Sequence, residues 1–285
     1  MRVHQWVKNL FIFLPLFFNQ QLTDIPALIN CVITFIGFSF VASSIYCFND
    51  IYDIESDKVH PTKRKRPIAS GAISKNMAVV IMIICCALGL LIIKLGKVSD
   101  KVLIVTAFYF VMNLVYTIKL KQISIIDAFI IAFGFVIRIF LGGAATGIML
   151  TNWIVIMTFL LALFLAFAKR RDDVIIYNKT QVKARSNVVN YNLDFLNAIL
   201  NITATVTIIA YLMYTVSDKV MIRFKSQSVY LTSLFVMAGL FRYLQITMVD
   251  SNSGSPTKIL LKDRFIQACI IGWLLLFAVI IYKNK

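Results

Sequence analysis

The sequence predicts an all-α integral membrane protein. Three observations carry that prediction: a 60% hydrophobic composition with mean hydropathy +0.83, long apolar runs, and polar loops between them that gather most of the charge. Apolar runs at roughly 8–20, 26–48, 77–95, 101–118, 124–147, 152–169, 192–215, 228–248 and 264–282 predict nine transmembrane helices. They read as one polytopic domain over residues 1–285, with no soluble domain and no low-complexity stretch. The first run is short and follows Arg2, His4 and Lys8, as a signal peptide would. No small-residue cleavage site follows, and Pro15 and the aromatics around it predict a retained segment.

With the N-terminus inside, 19 Lys and Arg residues fall on the inner side and 8 on the outer. That bias predicts a cytoplasmic N-terminus, an external C-terminus, and a shared cytoplasmic face for the two longest polar loops, 49–76 and 169–191. The net charge of +16 is spread between apolar spans and does not cover a soluble face, which argues against nucleic acid and for the bilayer and anionic substrates. Cys31, Cys47, Cys85, Cys86 and Cys269 lie within or beside apolar runs without a CxxC pair, so neither a disulfide framework nor a zinc site is indicated.

The first loop, NDIYDIESDKVHPTKRKRPIASG from Asn49 to Gly71, concentrates acids and then reverses sign. At about 100° per residue, a helix carries Asn49, Asp50, Asp53 and Asp57 within a wedge of about 100° and turns Glu55 away. Hard oxygens hold a magnesium ion, the ion bridges phosphate oxygens, and Lys or Arg from the basic cluster that follows neutralises the remaining charge. The segment is therefore a candidate magnesium-diphosphate site; its bland alternative is a solvated loop with ordinary helix-end charges.

The second loop carries Lys169, Arg170, Arg171, Asp172, Asp173, Lys179, Lys183, Arg185 and Tyr191. Cations of this kind also anchor helix ends to headgroups. Adjacent carboxylates among them suit a metal or a ribose hydroxyl held beside phosphates. Between the loops, Tyr116, Lys119 and Lys121 end one run, Asp127 opens the next, and Arg138 lies eleven residues further in. An ionisable group at bilayer depth marks a site or has a structural partner, for which Asp127 is available. Near the start, Gln5, Trp6, Lys8 and Asn9 sit where the first run begins, while His4 and His60 have no metal-ligand spacing.

These residues resemble the UbiA superfamily of intramembrane prenyltransferases, whose first acidic motif, NDxxDxxxD, is matched by Asn49, Asp50, Asp53 and Asp57. The superfamily's second motif, DxxxD, is absent, since Ile176 and Tyr177 stand four residues after Asp172 and Asp173. The chain is most similar to the decaprenyl-phosphate phosphoribosyltransferase (DPPR synthase) branch, at QWVKNLFIFLPLF, at the Asn49–Gly71 segment, at YTIKLKQISIIDAFIIAFGFVIRIFLGG, and at the KR-acid stretch with Arg185 and Tyr191. The resemblance spans most of the first 200 residues.

The resemblance implies a UbiA-like helical bundle in a bacterial plasma membrane, with its active site facing the cytoplasm. It implies magnesium-dependent transfer of 5-phosphoribose from phosphoribosyl pyrophosphate (PRPP) to a polyprenyl phosphate, releasing pyrophosphate. Asn49, Asp50, Asp53 and Asp57 are the implied metal ligands, with Asp53, Asp57, Arg138 and Asp172 at the chemistry. Lys8, Asn9, Lys63, Arg66, Tyr116, Lys119, Lys169, Arg170, Asp173, Arg185 and Tyr191 are the implied substrate contacts. The alternative within the superfamily is prenyl transfer from a prenyl diphosphate to an aromatic acceptor, against which the missing DxxxD speaks. A transporter would place its charges near midplane in two related halves, whereas the acids here cluster at one face. The sequence leaves the oligomeric state open, a homo-oligomer included.

Overall fold

A computed structural model of the chain describes residues 2–59, 63–181, 186–250 and 256–283. Among them every regular element is helical. A 3-10 segment, Val3–Phe13, leads into α1 (Leu14–Phe18), followed by α2 (Ile25–Tyr52), α3 (Ile54–Val59), α4 (Lys75–Leu95), α5 (Asp100–Ile118) and α6 (Ile126–Thr146). Then come α7 (Asn152–Thr180), α8 (Leu193–Thr215), α9 (Asp218–Phe224), α10 (Ser233–Met248), α11 (Pro256–Lys262) and α12 (Arg264–Lys283).

The starts of the long helices have local causes. Asp24, Ser74, Ser99 and Asn192 each precede a helix and accept from a first-turn backbone N–H, at 3.2, 3.2, 3.4 and 2.7 Å, satisfying donors that no helical carbonyl reaches. Helix α6 stops where Gly147 takes φ +73°, the left-handed conformation that glycine adopts without strain.

The chain forms two compact units, one of residues 1–151 with 179–188, the other of 152–178 with 189–285. In the first, α2 and α4 pack at backbone distance. A Cβ added at Gly89 would stand 2.5 Å from the Gly37 carbonyl oxygen, and one added at Gly37 would stand 2.8 Å from that of Gly89. The 3-10 segment lies against α6 with similar closeness, since a Cβ at Gly142 would meet the Ile12 carbonyl oxygen at 2.0 Å. Ile12, Leu16, Cys31, Phe38, Val41, Ile137 and Leu141 fill the core so formed. In the second unit α10 packs on α12, with Phe235 where a Gly272 side chain would be.

Seven helical stretches among the described residues are long and apolar enough to cross a bilayer: Ile25–Tyr52, Lys75–Leu95, Asp100–Ile118, Ile126–Thr146, Asn152–Thr180, Leu193–Thr215 and Ser228–Met248. They account for seven of the nine expected spans. The run at 8–20 becomes the 3-10 segment and the five-residue α1, neither of which is a long α-helix. The final run forms α12, whose described apolar stretch, Arg264–Ile280, is shorter. The polar stretch from 169 also differs from the expected loop, because α7 continues to Thr180. No glycine, proline or capping signal interrupts it there, and the i,i+3 pair Arg170–Asp173 supports the helix.

Candidate active site

In the first unit the acidic motif lies where α2 runs out. The helix is jointed at Asp53 (φ −95°, ψ 11°), yet hydrogen bonds from Asp53 N to Asn49 O at 2.9 Å and from Asp57 N to Asp53 O at 2.8 Å continue the helical pattern into α3. Glu55 faces solvent and pairs with Lys58 at 2.8 Å. The other acids turn inward and each meets a cation. Arg66 Nη1 lies 3.1 Å from Asp50 Oδ1 and 2.5 Å from Asp57 Oδ2, Arg2 also pairs with Asp50, and Lys121 pairs with Asp53. The Lys121 ammonium sits 4.6 Å from the centre of the Tyr52 ring, and Asn49 accepts from the Thr117 hydroxyl.

Residues 39, 43, 46 and 50 of α2 share one face, and the 3-10 segment docks on it antiparallel. Arg2 pairs with Asp50 and stacks 5.3 Å from the Tyr46 ring centre; Trp6 Nε1 donates to Ser43 Oγ at 3.1 Å; Asn9 Nδ2 donates to Ser39 Oγ at 2.8 Å. This polar seam descends to Arg138, which is 4% exposed. Its Nε donates to Asn9 Oδ1 at 2.8 Å, Nη1 to the Gly134 carbonyl at 2.6 Å and Nη2 to the Tyr109 hydroxyl at 3.0 Å. Phe38, Tyr109 and Phe135 surround the guanidinium at 5.4, 5.1 and 5.2 Å. None of these partners is a carboxylate, and Asp127, the acid available from sequence, lies buried in the first turn of α6.

The second unit holds its own charged cluster. Arg170 is 1% exposed and donates to Asp173 Oδ2 at 3.1 Å, and Asp172 and Asp173 are buried with it. Arg171 braces α7 instead, donating from Nε to Asn197 Oδ1 at 2.7 Å and from Nη1 to the Thr247 carbonyl. Tyr243 is buried against Phe164 within electrostatic reach of Asp172. Tyr191 is buried and stacks on Phe195.

Of the residues expected from sequence, the first unit thus brings Asp50 and Asp57 together at Arg66 and holds Asp53 on Lys121, with Asn9 and Arg138 along the seam. Lys8 lies within electrostatic reach of Arg138 and Arg2. Lys63 and Tyr116 are half-buried and Lys119 is exposed. Arg185 and His60 lie outside the described residues. Sequence reasoning missed Arg2 and Lys121 as partners of the motif, and Tyr109 as a partner of Arg138. The helix ends at Ile118 and a 3-10 turn, Leu120–Gln122, carries Lys121, so helical periodicity gives no means of choosing it over Lys119.

A model of the UbiA prenyltransferase family matches residues 10–267. The chain belongs to the UbiA family. Two relatives named decaprenyl-phosphate phosphoribosyltransferase align over nearly its whole length. That from Mycolicibacterium smegmatis is 30% identical, covering 96% of this chain and 88% of its own, and that from Corynebacterium glutamicum is 28% identical, covering 99% and 85%. Among solved structures, a UbiA homolog from Archaeoglobus fulgidus bound to GPP and Mg2+ superposes with TM-score 0.72 at 18% identity, over 99% of this chain and 97% of that one. A UbiA homolog from Aeropyrum pernix superposes with TM-score 0.65 at 15% identity, over 95% and 98%. The helical arrangement described above is therefore the UbiA fold.

The family's magnesium can be tested against the donor set. Among the described residues no three Asp, Glu, His or Cys side chains gather as a ready-made cage. Asp50 and Asp57, however, bring one carboxylate oxygen each to a single nitrogen of Arg66, with Asn49 next to Asp50 in the chain and Asp53 one turn from each acid. Two carboxylates completed by ligand phosphates and water are what magnesium ordinarily accepts, so the residues fit.

Proposed function

We propose that this protein is a magnesium-dependent polyprenyl-phosphate phosphoribosyltransferase, moving 5-phosphoribose from PRPP to a polyprenyl phosphate and releasing pyrophosphate. The observation that carries the reading is the site at the acidic motif, hereafter the outer site, where the inward carboxylates of NDxxDxxxD are paired with Arg2, Arg66 and Lys121, in a chain whose near full-length relatives bear that activity in their names.

Asp50 and Asp57, helped by Asn49 and Asp53, are the residues that would hold the magnesium. Bound there, the ion supplies charge neutralisation for a diphosphate. Arg66, Arg2 and Lys121 now spend their charge on these carboxylates. With a metal and a diphosphate present, the same three cations turn to phosphate oxygens and stabilise the leaving group. In the reaction an acceptor phosphate oxygen forms a bond to the anomeric carbon as the bond from that carbon to the diphosphate breaks. The electron pair leaves with pyrophosphate. The acceptor is already ionised, so no general base is needed, and catalysis rests on positioning and on charge. Lys169, Arg170, Asp172, Asp173, Arg185 and Tyr191 are of residue types chemically suited to ribose hydroxyls and a phosphate monoester. The protein functions as a plasma-membrane enzyme with its polar end facing the cytoplasm, where PRPP is found.

The test is a reaction in detergent with PRPP, a polyprenyl phosphate and magnesium, read by mass spectrometry. The expected result is a lipid-linked phosphoribose with release of pyrophosphate. If the purified protein leaves both substrates untouched and instead prenylates an aromatic acid from a prenyl diphosphate, the reading is overturned.

A further inference from the structure

The outer site explains three cations, and two more lie deeper. Arg138 is buried among neutral acceptors and three aromatic rings, and Lys8 lies within electrostatic reach of it. Among the described residues, no carboxylate contacts either cation. A guanidinium removed from water without a counter-charge is unfavourable by several kcal/mol, and hydrogen bonds to an amide, a carbonyl and a phenol recover only part of that. A second cation within electrostatic reach adds to the imbalance. The compartment is short of one anion.

Its position relative to the outer site can be read from the helices. The Arg138 side chain folds back toward the start of α6, bonding the carbonyl of Gly134, eight residues in, so its head lies about 12 Å below that helix end. Tyr46, one turn before Asp50, lies within electrostatic reach of both Arg2 and Arg138 and marks the boundary between the two sites. A displacement at a sugar carbon needs its nucleophile on the face opposite the leaving group. If the diphosphate is held at the acidic motif, the entering anion belongs on the inner side.

We propose that Arg138, Lys8, Asn9 and Tyr109 form the subsite for a phosphate monoester, and that its occupant is the phosphate of the acceptor lipid. This rests on the phosphoribosyl-transfer reading of the outer site. Arg138 and Lys8 match the charge of a monoester. The three aromatic rings around the guanidinium suit an anion that arrives attached to a hydrocarbon chain. A soluble sugar phosphate would gain nothing from such walls. Asn9 and Tyr109 act as positioning residues, holding the guanidinium in the seam.

The experiment measures binding of a short-chain polyprenyl phosphate to the full-length protein in detergent, with neither PRPP nor magnesium present. Arg138→Gln is expected to weaken that binding on the order of 10- to 100-fold, the loss of one charged hydrogen-bonding group. Arg138→Lys should recover part of it, and PRPP–magnesium binding, read by thermal shift, should change less than about twofold, a factor worth under 0.5 kcal/mol. Lys8→Gln, at a half-buried position, provides a second reading should Arg138→Gln fail to fold. Competition with inorganic phosphate separates a lipid phosphate from a free one, and the corresponding polyprenyl alcohol should bind weakly.

Loss of PRPP binding with lipid binding intact, equal affinity for the alcohol, or phosphate binding as tightly as the lipid would each overturn the proposal. If the wild-type protein binds the lipid phosphate in an Arg138-dependent way yet forms no product with PRPP, the subsite stands and the donor assignment falls.

Discussion

At the scale of single residues, the outer site behaves as a charge-exchange device. Arg66 spans two carboxylates with one nitrogen, so removing either acid leaves the guanidinium half-compensated while also removing a metal ligand. Asp57→Asn is accordingly expected to lower kcat/KM on the order of 10²-fold, as loss of comparable transition-state electrostatics does, and to raise the magnesium concentration needed for half-maximal rate. A magnesium titration of variant and wild type checks both. Lys121 supplies a sharper contrast, because it touches Asp53 and stacks on Tyr52 whereas Lys119 is exposed. Lys121→Gln should reduce turnover more than Lys119→Gln. Equal losses in a steady-state assay would show that the pairing with Asp53 has no part in catalysis.

Among elements, the α2–α4 contact holds the motif-bearing helix in place. Gly89 leaves no room for a side chain against the Gly37 carbonyl and Val41, so Gly89→Val must part the helices. Overpacking of this kind destabilises by about 1–3 kcal/mol, and a lower thermal midpoint in detergent is the expected readout. A second lock sits between α10 and the start of α12, where Arg242 donates to Asp263 Oδ2 at 3.1 Å from Nε and at 2.8 Å from Nη2. The Arg242 hydrogen bonds hold the Asp263 carboxyl below the ordinary carboxylate range. A depressed folded-state value means that its stabilisation is present above the unfolded value of about 3.9 and is lost as pH falls through the folded one. Arg242→Gln should therefore lower stability at neutral pH and flatten its decline below about pH 4, as followed by thermal melts across pH.

For the whole molecule, hydropathy and helix-end signals make most of the fold legible. Seven expected spans coincide with long apolar helices, and Asp50 and Asp57 of NDxxDxxxD meet at Arg66. What sequence could not disclose depended on non-helical geometry or on partners distant in the chain. The run at 8–20 has the apolarity of a span, but its backbone adopts 3-10 geometry against Gly142 and α2, which no local pattern announces. Arg138 was recognisable by its depth, while its neutral partners Asn9 and Tyr109, 129 and 29 residues away, were not. The polar stretch at 169 looked like a loop because charge imitates a boundary even where nothing stops a helix. Orientation is open to a direct check at this scale. Lys65→Cys, at an exposed position of the first loop, should react with an impermeant maleimide only from the cytoplasmic side; labelling from outside would reverse the inferred topology.

The docking of the 3-10 segment on α2 has a mechanical corollary. The seven residue steps from Arg2 to Asn9 run alongside the eleven from Ser39 to Asp50, because a 3-10 helix advances about 2.0 Å per residue where an α-helix advances about 1.5 Å. The two helices act as the scales of a vernier, with graduations of different pitch that coincide at three marks: Arg2 with Asp50, Trp6 with Ser43, and Asn9 with Ser39. A vernier tolerates no slip. Deleting one residue between Trp6 and Asn9 would leave at most one end aligned, so that either the arginine at the acidic motif or the asparagine that steadies Arg138 would fall out of step.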